Sequence, residues 1–295
     1  MPMDTQNLSA FLEVAHRRSF SLAAEHLYLT QPAVSKRIAL LEQQVGQKLF
    51  DRIGRSVSLT EAGQVLLPQA QHILRTIREA QQRLDDMSGT VKGRLQLATS
   101  HHIGLHRLPP VLKDYTQQFP DVELQLSFID SETAFEAINK GQIELGIVTL
   151  PSQIPDHLTA KPIWTDELHF VVSRSHALAK RRYRGDPRTC LQVLLDYPVI
   201  LPERTTITTQ IVQQLFERHR LKLGVQMPTN FLETIKMMVS VGLGWSVLPT
   251  TLIDENLVRL KFPAMNLRRQ LGCVHHRGKT LSNAADAMLS LIESR

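Results

Sequence analysis

The stretch TQPAVSKRIALLE, residues 30–42, decides how the chain is read. Thr30 can cap a helix, Pro32 falls in its first turn where a missing N–H costs nothing, and Val34, Ile38 and Leu41 line one face. The other face carries Gln31, Ser35, Lys36 and Arg37, all hydrogen-bond donors, and no acid until Glu42. A helix that lies against phosphates has reason to exclude acids, because a carboxylate there would repel them. Just upstream, a short helix is expected with Ser21 as its cap and Leu22, Ala23 and Leu27 as apolar positions, followed by a tight turn around Tyr28 and Leu29. Before it, Leu8, Phe11, Leu12 and Ala15 follow the i, i+3, i+4, i+7 pattern of a buried helical stripe. Two short helices joined by a tight turn make a helix-turn-helix, with residues 30–42 as the helix that reads base edges and phosphates. Taken alone, the stretch fits a solvated surface helix of a bundle equally well.

Residues 49–60, LFDRIGRSVSLT, are short, broken by glycine and partly alternating, which suits a small β-ribbon. A long helix is expected over 60–87. Its apolar positions Leu66, Ala70, Ile73, Ile77, Ala80, Leu84 and Met87 alternate spacings of four and three, as in a coiled-coil seam, although a stripe buried on one domain would look similar. Pro68 should kink or loosen its first third. MSGTVKG, 87–93, reads as a linker. The texture then changes to alternating strands and helices. Strands are expected from Leu95, Val122 and Ile143, near Leu168 and Tyr197, and in GWSVLP and LGCVHH; helices are expected over 105–119, 132–139, 208–220, 233–241 and 283–294. Such alternation indicates a parallel sheet with crossover helices.

The chain of 295 residues accommodates about two domains at ~150 residues each. Its 42% hydrophobic and 21% charged residues are ordinary for a soluble globular protein, and a net charge of +6 permits an anionic partner. The two cysteines, Cys190 and Cys273, have no metal-binding spacing and fit buried thiols in a reducing compartment. The N-terminal residues lack a basic-then-apolar secretory signal, and no apolar run reaches the ~18 residues that span a bilayer. A cytoplasmic protein without membrane contact is expected.

Residues 8–63, LSAFLEVAHRRSFSLAAEHLYLTQPAVSKRIALLEQQVGQKLFDRIGRSVSLTEAG, combine S-F-S-x-A-A, T-Q-P-A-V-S, G-x-x-L-F-x-R-x-x-R and L-T-x-A-G. With this set of motifs, residues 3 to about 90 resemble the N-terminal domain of LysR-type transcriptional regulators. After Ser35 the family usually has Arg and then Gln or His; Lys36 and Arg37 keep the charge here but alter the readout chemistry. The resemblance implies a winged helix-turn-helix over 1–60, with Ser21, Thr30, Gln31, Pro32, Ala33, Ser35, Lys36 and Arg37 on DNA and Arg52 and Arg55 in the wing. It also implies a linker segment, 61–92, whose helix dimerises through Leu66, Ala70, Ile73, Ile77 and Leu84.

The remainder, 93–295, resembles more loosely the family's effector domain, which shares the two-lobed α/β fold of type 2 periplasmic binding proteins. The resemblance rests on IGLHRLPPVLKDYTQQFPDVELQL, GQIELGIV and ETIKMMVSVGLGWSVLP. Lobe I would comprise about 93–163 and 268–295, and lobe II about 164–267. Ligands in such folds bind where strand ends and helix N-termini of two lobes face each other. By position these are Thr99, Ser100, His101 and His102 after the first strand, Ser131 after the second and Thr149 after the third. Thr205, Thr206, Asn230 and Phe231 open helices of the other lobe. Hydroxyls beside helix N-termini suit an anion or carboxylate, although each residue is equally a helix cap or turn residue.

His101, His102 and His106 cluster in the sequence, and His275 and His276 belong to the same expected lobe. A metal site needs three or four converging ligands, however, and adjacent histidines at a strand end point to opposite sides; no metal is expected. The family's peroxide sensors use a close cysteine pair in the second lobe, which Cys190 and Cys273 do not match. G-x-S-x-G, P-loop and H-E-x-x-H motifs are missing, so no catalytic role is expected. A small-molecule binding protein without DNA function would explain the C-terminal two-thirds but not residues 8–63. The resulting expectation is a sequence-specific regulator of double-stranded DNA controlled by a small-molecule effector, without other cofactor. The resemblance further implies a dimer through the linker helix, assembly to a tetramer, and contact with RNA polymerase.

Overall fold

The first helix, α1 (Thr5–Arg17), begins where the Asp4 carboxylate accepts the Gln6 N–H and ends at Arg18 in the left-handed region. The computed structural model describes residues 3–53, 56–87, 89–224, 227–263 and 265–294, which divide into two compact units between residues 88 and 89. In the first unit, α2 (Phe20–His26) is capped by Ser19 rather than Ser21. Starting the helix at Phe20 puts Phe20, Ala23 and Ala24 on the buried face and turns Leu22 outward, reversing the expectation for Leu22.

Tyr28 takes the positive φ of the turn, and α3 (Gln31–Val45) follows, with the Thr30 hydroxyl accepting the Ala33 N–H at 3.4 Å. Gly46, at φ 70°, closes the helix in a conformation that other residues resist. Val34, Ile38 and Leu41 pack against Leu8, Phe11 and Val14 of α1. The helix runs three residues past Glu42, so this acid does not mark its end. Its carboxylate accepts the Leu49 N–H at 2.9 Å and Lys48 Nζ at 2.8 Å, pinning the chain as it enters the ribbon. Burial opposes ionisation of Glu42, but the Lys48 and Leu49 donors outweigh it and hold the carboxyl below its ordinary range.

Strands β1 (Phe50–Ile53) and β2 (Ser56–Leu59) form the expected antiparallel ribbon. Helix α4 (Glu61–Asp86) is continuous through Pro68. Its apolar stripe splits in two. Ala70 is fully buried in the core of the first unit, with Leu66 and Ile73 packed against it, which removes Ala70 from any seam with a partner helix. Ile77 and Leu84 stay exposed at 47% and 64%.

In the second unit the elements run β3 (Gly93–Thr99), α5 (His101–His106), α6 (Pro109–Gln118), β4 (Val122–Phe128), α7 (Ser131–Asn139), β5 (Leu145–Leu150) and β6 (Leu158–Ser173). They continue with α8 (Pro187–Leu194), α9 (Ile207–Arg218), α10 (Leu232–Ser240), β7 (Ser246–Pro249), β8 (Leu257–Arg259), β9 (Leu267–His276) and α11 (Asn283–Glu293). The helix expected over 105–119 is two helices, because Pro109 and Pro110 can only open a new one. The strand expected near Tyr197 is a single parallel bridge, Val199 to Trp245; Pro198 lacks the N–H that a longer ladder would need. Helix α8, capped by Asp186, was not anticipated.

The sheet order is β4-β3-β5-β9-β6-β7, with β8 on β6. Only β4-β3-β5 is parallel; β9, β6, β7 and β8 pair antiparallel, so the sheet is mixed rather than parallel throughout. One core gathers Leu95, Ile103, Tyr115, Ile147, Leu271 and Met288, and a second gathers Phe170, Leu191, Val212, Phe216, Trp245 and Leu260. These are lobes I and II. Strands β6 and β9 pair along ten positions and pass from one lobe to the other. Cys273 belongs to the first core and Cys190 is buried in α8; burial raises both thiols, Cys273 to about 12. Among the described residues no helix is long and apolar enough to cross a membrane.

Candidate DNA-reading helix and inter-lobe cleft

With Val34, Ile38 and Leu41 turned inward, α3 leaves Gln31, Pro32 and Lys36 exposed and Ala33, Ser35 and Arg37 half-buried. Gln31 Nε2 donates to Ser35 Oγ at 3.0 Å, one turn away. Arg37 is tied down, its Nη2 donating to Gln6 Oε1 of α1 at 2.9 Å, so Lys36 is the freer of the two cations. Thr30 and Ser21 are exposed. Arg55 and the side chain of Arg52 lie outside the described residues.

Between the lobes of the second unit lies a cavity of about 50 Å³. Ser100, His101, His102, Ser131, Thr149, Thr206 and Asn230 line it, as expected from their positions. Three expected residues do not. Thr99 is buried and its hydroxyl donates to the Ile147 carbonyl at 2.9 Å, fastening β3 to β5. Thr205 is exposed, one residue before the Thr206 cap of α9. Phe231 sits half-exposed with its ring edge-on to His101, centroids 4.7 Å apart.

Several lining groups are already committed. Ser131 Oγ accepts the Thr149 N–H at 3.0 Å, and Asn230 Nδ2 donates to Asp130 Oδ2 at 2.8 Å. Ser100 precedes α5 at the cap position without making a side-chain cap bond. The N-terminus of α9 holds a carboxylate from the opposite lobe: Glu132 Oε1 accepts the Ile207 N–H at 2.8 Å. That end of a helix is where negative charge is favoured.

Below the cavity lies a charge network. Buried Asp166 of β6 accepts from Arg107 Nη2 at 2.8 Å, Arg269 Nη2 at 2.9 Å and Arg269 Nε at 3.2 Å, with His102 Nε2 at 3.5 Å. Arg269 Nη1 also donates to Thr208 Oγ1 of α9 at 2.9 Å, joining a crossover strand to lobe II. Burial alone would favour protonated Asp166, but His102 and the two guanidiniums overcome it and hold the carboxyl far below the usual range. Burial also pushes His102 below its ordinary value, favouring the neutral ring.

Sequence reasoning missed Asp130, Glu132, Arg107, Asp166, Thr208, Arg269 and Glu233. A charge inside an otherwise apolar strand, as in WTDELHFVV, was the available signal for Asp166. His101 and His102 do diverge, but His102 and His106, four apart on α5, share one face and meet Glu233 of α10.

Comparison with known proteins agrees with this architecture. Residues 5–64 match the bacterial regulatory helix-turn-helix protein, lysR family, and residues 88–295 match the LysR substrate binding domain. The HTH-type transcriptional activator CmpR of Synechocystis sp. is 30% identical over 96% of this chain and 92% of its own. The HTH-type regulator YeiE of Escherichia coli is 32% identical over 96% and 95%. Full-length CbnR in complex with its target DNA superposes with a TM-score of 0.72 over 99% of both chains at 19% identity, a likeness of fold. With both of its units matched and relatives aligned along nearly its whole length, the chain belongs to the LysR family of bacterial transcriptional regulators.

Proposed function

We propose that a small anion, a carboxylate or an oxyanion, controls this DNA-binding regulator by entering the cleft between the lobes. The observation that carries this reading is the Glu132 carboxylate on the Ile207 N–H. A helix N-terminus favours an anion, and here the protein's own side chain supplies it. A ligand carboxylate competing for that N–H would find the uncommitted Ser100 hydroxyl and Thr149 in the lining of the same cavity, whereas the Thr206 hydroxyl already donates to the Glu203 carbonyl at 2.8 Å. A cavity of about 50 Å³ holds little more than one or two waters. Anything larger must part or rotate the lobes, which ties occupancy to lobe arrangement. Coupling of this kind is typically ~1–3 kcal/mol.

On the DNA side, Gln31, Ser35 and Lys36 would meet base edges and phosphates, with Thr30, Pro32 and Ala33 at the helix start. Arg37, Ser21 and the wing arginines 52 and 55 would hold the backbone. Exposed Ile77 and Leu84 supply the seam for a second copy of α4. Two such copies would dock on half-sites one turn, ~34 Å, apart. Tetramer assembly, contact with RNA polymerase and a cytoplasmic setting complete the reading.

The test is a thermal-shift screen of the full chain against small carboxylates and inorganic oxyanions. A ligand at one hundred times its Kd adds ~2.7 kcal/mol, a readily measured rise in Tm. Glu132→Gln, which keeps an acceptor but removes the competing charge, should bind the anionic hits more tightly, and Ser100→Ala less tightly. Hits confined to neutral or cationic compounds, or anionic hits indifferent to both variants, would overturn the proposal.

A further inference from the structure

We infer that His102, His106 and Glu233 form a site for one divalent transition-metal ion, of the zinc or cobalt class, that clamps lobe I to lobe II. His102 and His106 stand four residues apart on α5, and their rings lie 4.9 Å apart. Glu233, in the first turn of α10, comes from the opposite lobe, its Oε1 3.0 Å from His106 Nε2 and 3.8 Å from His102 Nδ1. The three ligand atoms all lie within 4.8 Å of one another. Around a tetrahedral ion with bonds of ~2.0–2.1 Å, ligand atoms sit about 3.3 Å apart, so small side-chain adjustments close the site.

The hydrogen bonding of His102 supports this independently. The ring is buried, and Nδ1 has no hydrogen-bond partner, a costly state for a buried polar atom. Its other nitrogen, Nε2, faces the Asp166 carboxylate at 3.5 Å. With the proton on Nε2, Nδ1 turns a bare lone pair toward Glu233. A metal-ligating histidine typically directs its second nitrogen to a carboxylate, which fixes the tautomer and orients the ring. Arg107 and Arg269 are both turned to Asp166, so Glu233 is the carboxylate left to face the two imidazoles. His106 and Glu233 are about one-third exposed, at 31% and 33% for their side chains, which gives an ion an entry path and room for a water as fourth ligand. Two imidazoles and one carboxylate suit zinc, cobalt or nickel rather than the oxygen-seeking magnesium or calcium. Because the ligands come from both lobes, binding favours the arrangement that brings α5 and α10 together. The site shares His102 with the lining of the cleft cavity, whereas His106 and Glu233 lie outside that lining, so variants of these two residues test the metal separately from the anion.

The full chain, stripped with chelator, should be titrated with Co²⁺ while visible d–d absorption is followed, and with Zn²⁺ against a chromophoric chelator. The expected result is one Co²⁺ per chain, displaced by Zn²⁺. His106→Ala and Glu233→Gln should each lower affinity at least ~10-fold, while His275→Ala, in the other histidine cluster, leaves it unchanged. Both test residues are partly exposed, and unchanged Tm without metal would show that the variants fold. Failure to bind one ion per chain at micromolar concentration, or parent-like affinity in both folded variants, would overturn the inference.

Discussion

Asp166→Ala is the sharpest single perturbation of the second unit. It removes the acceptor of three guanidinium hydrogen bonds and leaves Arg269 buried, with Thr208 Oγ1 as its remaining hydrogen-bond partner. Arg107, 29% exposed, can turn to water, so the cost falls mainly on Arg269. Removing one partner of a buried ion pair typically costs ~3–5 kcal/mol. For a unit of this size each kcal/mol moves Tm by ~2–4 °C, so a fall of about 6–20 °C is expected. Trp164 and Trp245, the two tryptophans of the chain, both belong to this unit, so fluorescence-monitored urea unfolding reports on it alone. Removing the stranded charge as well, in Asp166→Ala with Arg269→Met, should restore at least half of the loss. The pH dependence has a definite sign. The folded carboxyl is depressed, so its contribution is full above the unfolded carboxylate value of ~3.9 and fades as pH falls below it. The parent should therefore lose stability more steeply than Asp166→Ala below about pH 4. A loss under ~1 kcal/mol at pH 7, or a double variant no more stable than the single one, would refute the reasoning.

Glu42→Ala should cost the first unit ~1–3 kcal/mol by stranding the Leu49 N–H, measured by circular dichroism; the depressed Glu42 carboxyl means that this contribution disappears as pH falls below ~4.3. Ile77→Glu, which puts a charge in the exposed part of the α4 stripe, should split the proposed dimer in sedimentation, and an unchanged mass distribution would remove Ile77 from the proposed seam. Gln31→Ala should cost ~1–3 kcal/mol and relax preference at one base position in footprinting titrations. Lys36→Ala should weaken all sequences alike and flatten the salt slope by about one.

The first unit was legible because its signals are local. Thr30, Pro32 and the Val34–Ile38–Leu41 stripe act within a few residues of one another, and the structure keeps them as read. The errors there came from neighbours in space. Glu42 is placed by the Leu49 N–H, and the stripe of α4 could not reveal that Ala70 would be taken by its own domain. In the second unit, strand ends followed by helix starts located Ser100, Ser131, Thr149 and Thr206. Thr99 was misplaced because strand alternation gives its hydroxyl to the neighbouring strand. The charge network was not legible, since Arg107, Asp166 and Arg269 converge only once two lobes and two crossover strands are assembled. The mixed sheet escaped for the same reason: the direction in which β9 enters is set by the long return from lobe II.

That return has a consequence for the order of assembly during synthesis. Strand β9 lies between β5 and β6 in the sheet, and Leu271, Cys273, Met288 and Ile292 complete the core begun by Leu95 and Leu97. Lobe I therefore stays open until residues 267–292 have left the ribosome, whereas Phe170, Leu191, Val212, Phe216 and Trp245 of lobe II emerge as one continuous segment. Contacts separated by some 180 residues carry a high loop-closure cost and form late. At ~5–20 residues per second, the apolar edge of β5 waits about 6–25 s for its partner, a window in which a nascent chain needs shielding from its neighbours.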